Sequence, residues 1–407
     1  GDRAAWGSLS AHAAKSASGG AAAGAAPAAR VVSSSSSSPT ATGEVGGAAG
    51  AADYVWEWKP DLEVKFLRQA PGPDRGGGFA VVMIHGFGAE ASYFAAQLDA
   101  VAAAGGAAYA MDLLGQGGSW PSADPAPSRG GDGAPGDGAW GWGDALAEGF
   151  GAGGGCAFGE PVWLEQIAAF LRDVVAEERV YLLGNSLGGY LAAKVAARGD
   201  GDAGARVAGL ALANATPFWG WTRPGFAPWD GRLPAPSWVR PFASAWFEVL
   251  RGSVEPMLSL VYARPDDPAV RARLRALAAG IEASASHPMG TAAFASILFA
   301  PVQEPSYGDA LDALAARGLP VLLNYGDDDP WIVPFWAWRS ASRIEASGGE
   351  YHVLTPVGHC PHHEAPAAFN RVLLGWLARL EGAGGAGVAE AAASGRDAEN
   401  VRVERRL

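Results

Sequence analysis

The sequence predicts an α/β fold, a mostly parallel β-sheet with helices on both faces and an inserted helical lid. Three observations predict it. From Tyr54 to about residue 382, short apolar runs of strand length alternate with longer segments of helical spacing, the chain order of a sheet covered on both faces. One of these runs passes through Gly-x-Ser-x-Gly, at 184–188, into a helical segment. A long aromatic and Pro-rich stretch, 216–315, then separates the last strands from the rest.

Taken in order, DLEVKFLR (61–68) alternates as a half-buried strand, and FAVVMIHGFG (79–88) is a buried strand running into a glycine loop. ASYFAAQLDAVAAAG (91–105) has helical spacing and stops on glycine, and AAYAMDLLGQG (107–117) is the next strand and loop. Residues 125–159 are so rich in Gly, Pro and Asp that they read as a surface loop, broken by Trp140 and Trp142. A helix at 161–177, the strand RVYLLGN (179–185), a helix from Leu187 and the strand RVAGLALANA (206–215) follow. After the insertion come strands PVLLNYG (320–326) and YHVLTPVG (351–358) and the amphipathic helix AAFNRVLLGWLARL (367–380). The expected organisation is a disordered leader over 1–52, core over 53–215 and 316–382, a lid over 216–315, and a disordered tail over 383–407. The leader is Ala, Gly and Ser with a serine run at 33–38 and few acids, and it reads as an organellar transit peptide.

Composition excludes whole classes. With 18% charged residues and a net charge of -12, the chain is neither a charge-rich disordered polymer nor a basic nucleic-acid binder. Two cysteines in 407 residues make no disulfide framework. No apolar run of membrane-spanning length is free of Pro, Gly or charge, so no transmembrane segment is expected.

The chemistry concentrates at strand ends. Gly184-Asn185-Ser186-Leu187-Gly188 lies between an apolar strand and a helix, where small neighbours permit the tight turn that exposes a serine hydroxyl. Serine needs a base, and of seven histidines His359 follows the last strand directly, as the order Ser…Asp…His requires. His362 and His363 beside it are expected in solvated or capping roles. The cluster with Cys360 lacks a second ligand pair at metal spacing, so no metal and no cofactor is expected. The orienting acid belongs after the strand 320–326, which ends in Asp327-Asp328-Asp329; a loop can aim any of the three. The backbone N–H groups of His85-Gly86-Phe87-Gly88, with that of Leu187, can form an oxyanion hole. Together these parts define the α/β-hydrolase fold. A serine at the elbow disfavours epoxide hydrolases and dehalogenases, which carry Asp there, and leaves esterases, lipases and serine C–C hydrolases.

Aromatic residues crowd the insertion. Five of the sixteen tryptophans fall between Trp219 and Trp246, and three between Trp331 and Trp338. With so few charges nearby, they suggest a large flat apolar substrate or a long isoprenoid chain.

Five segments then carry a resemblance: GNSLGGY (184–190), NATPFWGW (214–221), HPMGTAAFASILFAP (287–301), YGDDDPW (325–331) and PVGHCPHHEAP (356–366). They resemble the pheophytinase branch of plant and algal α/β-hydrolases, and the similarity runs from about Trp56 to Leu380. The resemblance implies a chloroplast serine esterase that cleaves the phytyl ester of pheophytin to pheophorbide and phytol, in the stroma or beside the thylakoid. It implies a triad of Ser186, Asp329 and His359, since the family's acid directly precedes Pro-Trp, with Phe87 and Leu187 N–H groups at the oxyanion. Trp219, Trp221 and Trp331 are the implied substrate-binding aromatics. The implied partner is a pheophytin-like pigment, with transient contact to chlorophyll-catabolic enzymes or antenna complexes. The sequence departs from the family at His363, commonly Asp, and at Asp327-Asp328, usually a basic–acidic pair. Neighbouring readings are an esterase of chlorophyll or another long-chain ester, a C–C hydrolase, and a non-catalytic pigment carrier.

Overall fold

The computed structural model describes residues 30–33, 50–72, 78–122, 158–199, 206–219, 239–299, 303–382 and 401–407. Ten strands form one sheet: β1 (Arg30–Ser33), β2 (Ala52–Lys59), β3 (Leu62–Gln69), β4 (Phe79–Ile84), β5 (Ala107–Met111), β6 (Arg179–Asn185), β7 (Val207–Ala213), β8 (Val321–Gly326), β9 (Glu350–Thr355) and β10 (Arg402–Arg405). Their order is β1-β2-β3-β5-β4-β6-β7-β8-β9-β10. Strands β4 to β9 pair in parallel, and β1 to β3 and β10 are antiparallel additions at the two edges.

The sequence explains which strands lie in the middle. Every residue of β4 is buried: Ala80, Val82 and Ile84 face one core, while Phe79, Val81 and Met83 face the other. That uninterrupted apolar run is what a strand covered on both sides requires. The helices α1 (Ala95–Ala103) and α11 (Pro366–Glu381) cover one face with Leu98, Phe369 and Trp376. The other face holds α2 (Glu160–Asp173) and α3 (Leu187–Arg198), through Trp163, Phe170 and Tyr190. Between β7 and β8 lie α4 (Val239–Arg251), α5 (Val254–Val261), α6 (Pro268–Ala285), α7 (Gly290–Phe299) and α8 (Tyr307–Ala316). Of these, α8 joins the core beside α3, its Tyr307 ring stacked on Tyr190 at 6.1 Å. After β8 come α9 (Pro334–Ile344) and, after β9, the one-turn α10 (Pro361–Glu364).

The chain crosses from β5, on one side of β4, to β6 on the other. A crevice opens beyond the carboxyl ends of strands at such a reversal, and this is where open α/β sheets bind ligands. His85 follows β4 and Ser186 follows β6, so the glycine loop and the serine turn share that crevice.

Two expectations are corrected at the edges. Within the leader, Arg30–Ser33 is a strand paired with β2, Val31 opposite Trp56. Within the tail, Arg402–Arg405 pairs with β9, Val403 opposite Leu354. Both are four-residue segments with β-branched residues, and the hydrogen bonds that order them come from a neighbouring strand rather than from their own pattern. The expected 125–159 loop falls almost wholly outside the described residues, and Trp140 and Trp142 fall outside with it. No helix among the described residues is long and apolar enough to cross a membrane.

Candidate active site

Ser186 sits between β6 and α3 with φ 53° and ψ -121°. A non-glycine residue at positive φ is strained by about 1–3 kcal/mol, and such strain persists only where packing enforces it. The enforcement is visible in the two flanking glycines. A Cβ on Gly188 would lie 2.0 Å from the Ile84 carbonyl oxygen, and one on Gly184 would lie 2.4 Å from that of Gly188. The elbow is therefore pressed against the end of β4 closely enough to exclude any side chain at either position, which is the physical content of the Gly-x-Ser-x-Gly spacing. The Ser186 N–H donates to the Ala213 carbonyl (3.1 Å), and its own carbonyl accepts from the Tyr190 (3.1 Å) and Thr216 (3.1 Å) N–H groups.

His359 follows β9, and the Asn185 amide reaches its carbonyl oxygen at 3.1 Å, tying the histidine's loop to the residue before the serine. The His359 N–H donates to the Val261 carbonyl at 2.8 Å, so the end of α5 holds the same loop from the other side. The imidazole Nδ1 lies 2.7 Å from Asp329 Oδ2. Of the three consecutive aspartates, Asp329 is 3% exposed and meets the imidazole. Asp328 is exposed, and Asp327 accepts from the Thr355 hydroxyl at the end of β9. With the carboxylate on Nδ1, the neutral ring carries its lone pair on Nε2.

Four donors surround the Asp329 carboxylate. Oδ2 accepts from Asn214 Nδ2 (2.7 Å) as well as the imidazole, and Oδ1 accepts from the Trp331 (2.7 Å) and Ile332 (2.9 Å) N–H groups. Burial pushes this carboxyl up. The His359, Ile332 and Asn214 contacts outweigh burial and hold it below the usual carboxylate value. Asn214 ends β7 at φ 40° and is itself fixed by accepting the Gly326 N–H at 2.9 Å. The sequence reading passed over this residue because it is not a carboxylate. Its signal was an Asx residue at a strand end in the order where acids are sought.

The glycine loop is braced by two further residues. His85 is fully buried; its Nε2 accepts the Leu113 N–H (3.0 Å), so Nδ1 carries the proton that is donated to the Gly86 carbonyl (2.7 Å). Burial lowers its pKa to about 4, which keeps the ring neutral. Gln116 Oε1 accepts the Gly88 N–H at 2.6 Å. The N–H groups of Phe87 and Leu187 donate to no carbonyl among the described turn, loop and cap hydrogen bonds. Sequence reasoning missed Gln116, although it lies in the quoted loop after β5.

An apolar cleft enclosing about 900 Å³, open solvent at its mouth included, lies between the loops and α4 to α7. Phe87, Trp120, Phe247, Phe294 and Trp331 line it. The Trp331 ring meets His359 edge-on at 5.1 Å, which joins the cleft to the polar residues. Trp219 stands behind the lining, its ring 5.6 Å from Phe87 and its indole N–H on the Ile297 carbonyl at 3.3 Å. Trp221 lies outside the described residues.

His362 corrects the expectation of a solvated or capping side chain. It is fully buried between Phe94 (4.7 Å) and Tyr93 (4.3 Å), while the half-buried His363 has its Nδ1 2.6 Å from the Tyr262 hydroxyl. The one-turn α10 is covered by α1 and by the chain from Tyr262, and neither neighbour is visible from the local sequence. Among the described residues no three His, Cys, Asp or Glu side chains are grouped to hold a metal.

Comparison with known proteins agrees with this fold. The model of the alpha/beta hydrolase family matches residues 81–372. The chain is 31% identical to the chloroplastic pheophytinase of Arabidopsis thaliana over 365 residues, covering 84% of this chain and 69% of that protein. Among solved structures, an esterase from Thermogutta terrifontis superposes with a TM-score of 0.52 at 20% identity, covering 79% of this chain and 95% of that one. A bromoperoxidase from Bacillus anthracis superposes with a TM-score of 0.53 at 16% identity, covering 78% and 95%. At those identities the two structures speak for the fold alone, and their different chemistries illustrate how little a fold fixes the substrate. The chain belongs to the alpha/beta hydrolase family, within which it is similar to plant pheophytinase.

Proposed function

We propose that this hydrolase is a serine carboxylesterase that cleaves the phytyl ester of pheophytin, giving pheophorbide and phytol. Ser186, His359 and Asp329 are its triad, and the Phe87 and Leu187 N–H groups are its oxyanion donors. The observation that carries the reading is the 2.7 Å contact between His359 Nδ1 and the buried Asp329 carboxylate, with Ser186 on a strained turn at the same end of the sheet. The similarity to pheophytinase supports the substrate, and the aromatic cleft supports a large apolar ligand.

In the proposed reaction His359 Nε2 takes the Ser186 hydroxyl proton while the oxygen attacks the ester carbonyl. The developing oxyanion is held by backbone N–H groups already positioned for it. Collapse expels the phytol oxygen, which takes the proton back from His359 and leaves an acyl-serine. Water, deprotonated by the same imidazole, then releases the acid and restores Ser186. Asp329 keeps the ring in the required tautomer and stabilises its cationic form. The Ala- and Ser-rich leader and the chloroplastic relative support a plastid location, with Trp219, Trp221 and Trp331 contributing to the aromatic surroundings of the substrate.

A fluorophosphonate probe separates this enzyme from a pigment carrier on the same scaffold. Wild-type protein should be labelled at Ser186, and Asp329→Asn should slow ester turnover by about 10⁴-fold, as tautomer loss does in serine triads. Asp327→Asn should stay within about threefold of wild type. Labelling elsewhere, or the reverse ranking of the two aspartates, overturns the assignment.

A further inference from the structure

Gln116 occupies the bend after β5. Its backbone is fixed by its own N–H on the Leu113 carbonyl (2.9 Å) and its carbonyl under the Ser119 N–H (3.1 Å). The side chain is 4% exposed, and Oε1 is committed to the Gly88 N–H. That contact settles which way the amide points, because an N–H can only be received by the oxygen. Nε2, with two N–H donors, is then buried and has no hydrogen-bond acceptor among the described residues. Gln116 is one of the residues that line the apolar cleft, with Phe87 and Trp331.

Three other polar side chains of the lining are already engaged. Ser284 Oγ and the Trp120 indole both donate to the Gly117 carbonyl, at 3.0 Å and 2.8 Å, and Arg251 pairs with Glu248. A buried donor without an acceptor is costly, and a ligand that brings the acceptor removes the cost. Buried sites of this kind discriminate strongly between ligands that carry the matching group and ligands that lack it.

We propose that Gln116 is a specificity-determining residue: its carboxamide NH₂ donates to a second carbonyl oxygen that the substrate carries beside its scissile ester. An uncharged carbonyl fits the site, since the surrounding wall is mostly apolar and Arg251, the cation among its lining residues, is already paired with Glu248. The same side chain has a second duty through Oε1, which holds the Gly88 end of the proposed oxyanion loop. The proposal rests on the esterase reading for the word substrate, but the donor can be tested without turnover.

The test compares p-nitrophenyl hexanoate with the 4-oxo and 5-oxo hexanoate esters, using wild-type and Gln116→Met full-length protein. Wild type should prefer one of the oxo esters by about tenfold in kcat/KM, carried by KM, and Gln116→Met should reduce the preference to within about twofold. Loss of the Gly88 contact should lower kcat for all three esters alike, which leaves the ratio as the diagnostic quantity. In parallel, binding of octan-4-one and its 4-methylene isostere to Ser186→Ala protein is followed by tryptophan fluorescence. Gln116→Met in that background should weaken the ketone about fivefold or more and leave the isostere unchanged. Equal affinity for ketone and isostere, or a preference that survives Gln116→Met, overturns the proposal. Absence of any Ser186-dependent hydrolysis counts against the esterase reading instead, and the binding arm still decides Gln116.

Discussion

The Asp329 carboxylate receives four hydrogen bonds, and the one from Asn214 shares Oδ2 with the imidazole. Sharing matters because each donor on that oxygen favours its ionised form and fixes where it sits beside the imidazole. Removing the Asn214 amide takes away one of the contacts that hold this carboxyl below the usual carboxylate value, so the carboxyl should rise toward the ordinary range and be held less firmly against His359. Asn214→Gly is the suitable variant, because glycine accepts φ 40° without strain. Its kcat for an ester substrate at pH 8 should fall by about tenfold or less. An unchanged kcat would mean that Asn214 serves only to fix the end of β8. At this scale the strand-end positions of Ser186 and His359 were legible from spacing and chain order. Asn214 and Gln116 were not, because each acts through another residue, and such partners are set by loops that converge from distant parts of the chain.

Elements carry their own constraints. The turn from β6 into α3 is crowded at Gly184 and Gly188, and the Ile84 carbonyl defines how near β4 and the glycine loop can approach. The interior strands were readable because apolar continuity over six or seven residues reports burial on both faces. The edge strands β1 and β10 were not, since their exposed residues carry no such pattern. Helix α10 illustrates the same limit. PHHE reads as polar, yet His362 lies wholly inside an aromatic box with neither ring nitrogen hydrogen-bonded among the described residues. Burial, with the neighbouring His363 and His359, holds its pKa well below 6.5. A lowered histidine pKa means the unfolded chain binds the proton first, so the residue's stability contribution is complete above pH 6.5 and declines as pH falls. His362→Phe should abolish that one-proton linkage. From pH 6 to pH 5 the variant's unfolding free energy should improve on wild type by up to about 1.4 kcal/mol, measured by urea titration at each pH. A constant difference between the two proteins across that range contradicts a neutral, buried His362.

At the scale of the whole molecule, the sheet order reverses at β4. Parallel pairing brings the loops after β4, β5, β6, β7, β8 and β9 to one end of the sheet, where the apolar cleft opens between loops of that end and the helices α4 to α7. Alternating strand and helix periods made this architecture readable, and the aromatic insertion was readable as the neighbour of the site. What sequence periodicity could not supply is how the insertion packs on the core, because helix–helix contacts such as Phe247 on Phe294 at 5.1 Å depend on chain segments 47 positions apart. The proposed reaction joins the polar end of this cleft to its apolar body, and the most direct test is chromatographic. Purified wild-type and Ser186→Ala proteins are incubated with pheophytin and with chlorophyll, and the pigments are resolved. Pheophytin should give pheophorbide and phytol with wild type and remain intact with Ser186→Ala. Wild-type protein that reacts with a fluorophosphonate at Ser186 yet leaves pheophytin intact contradicts the proposed reaction.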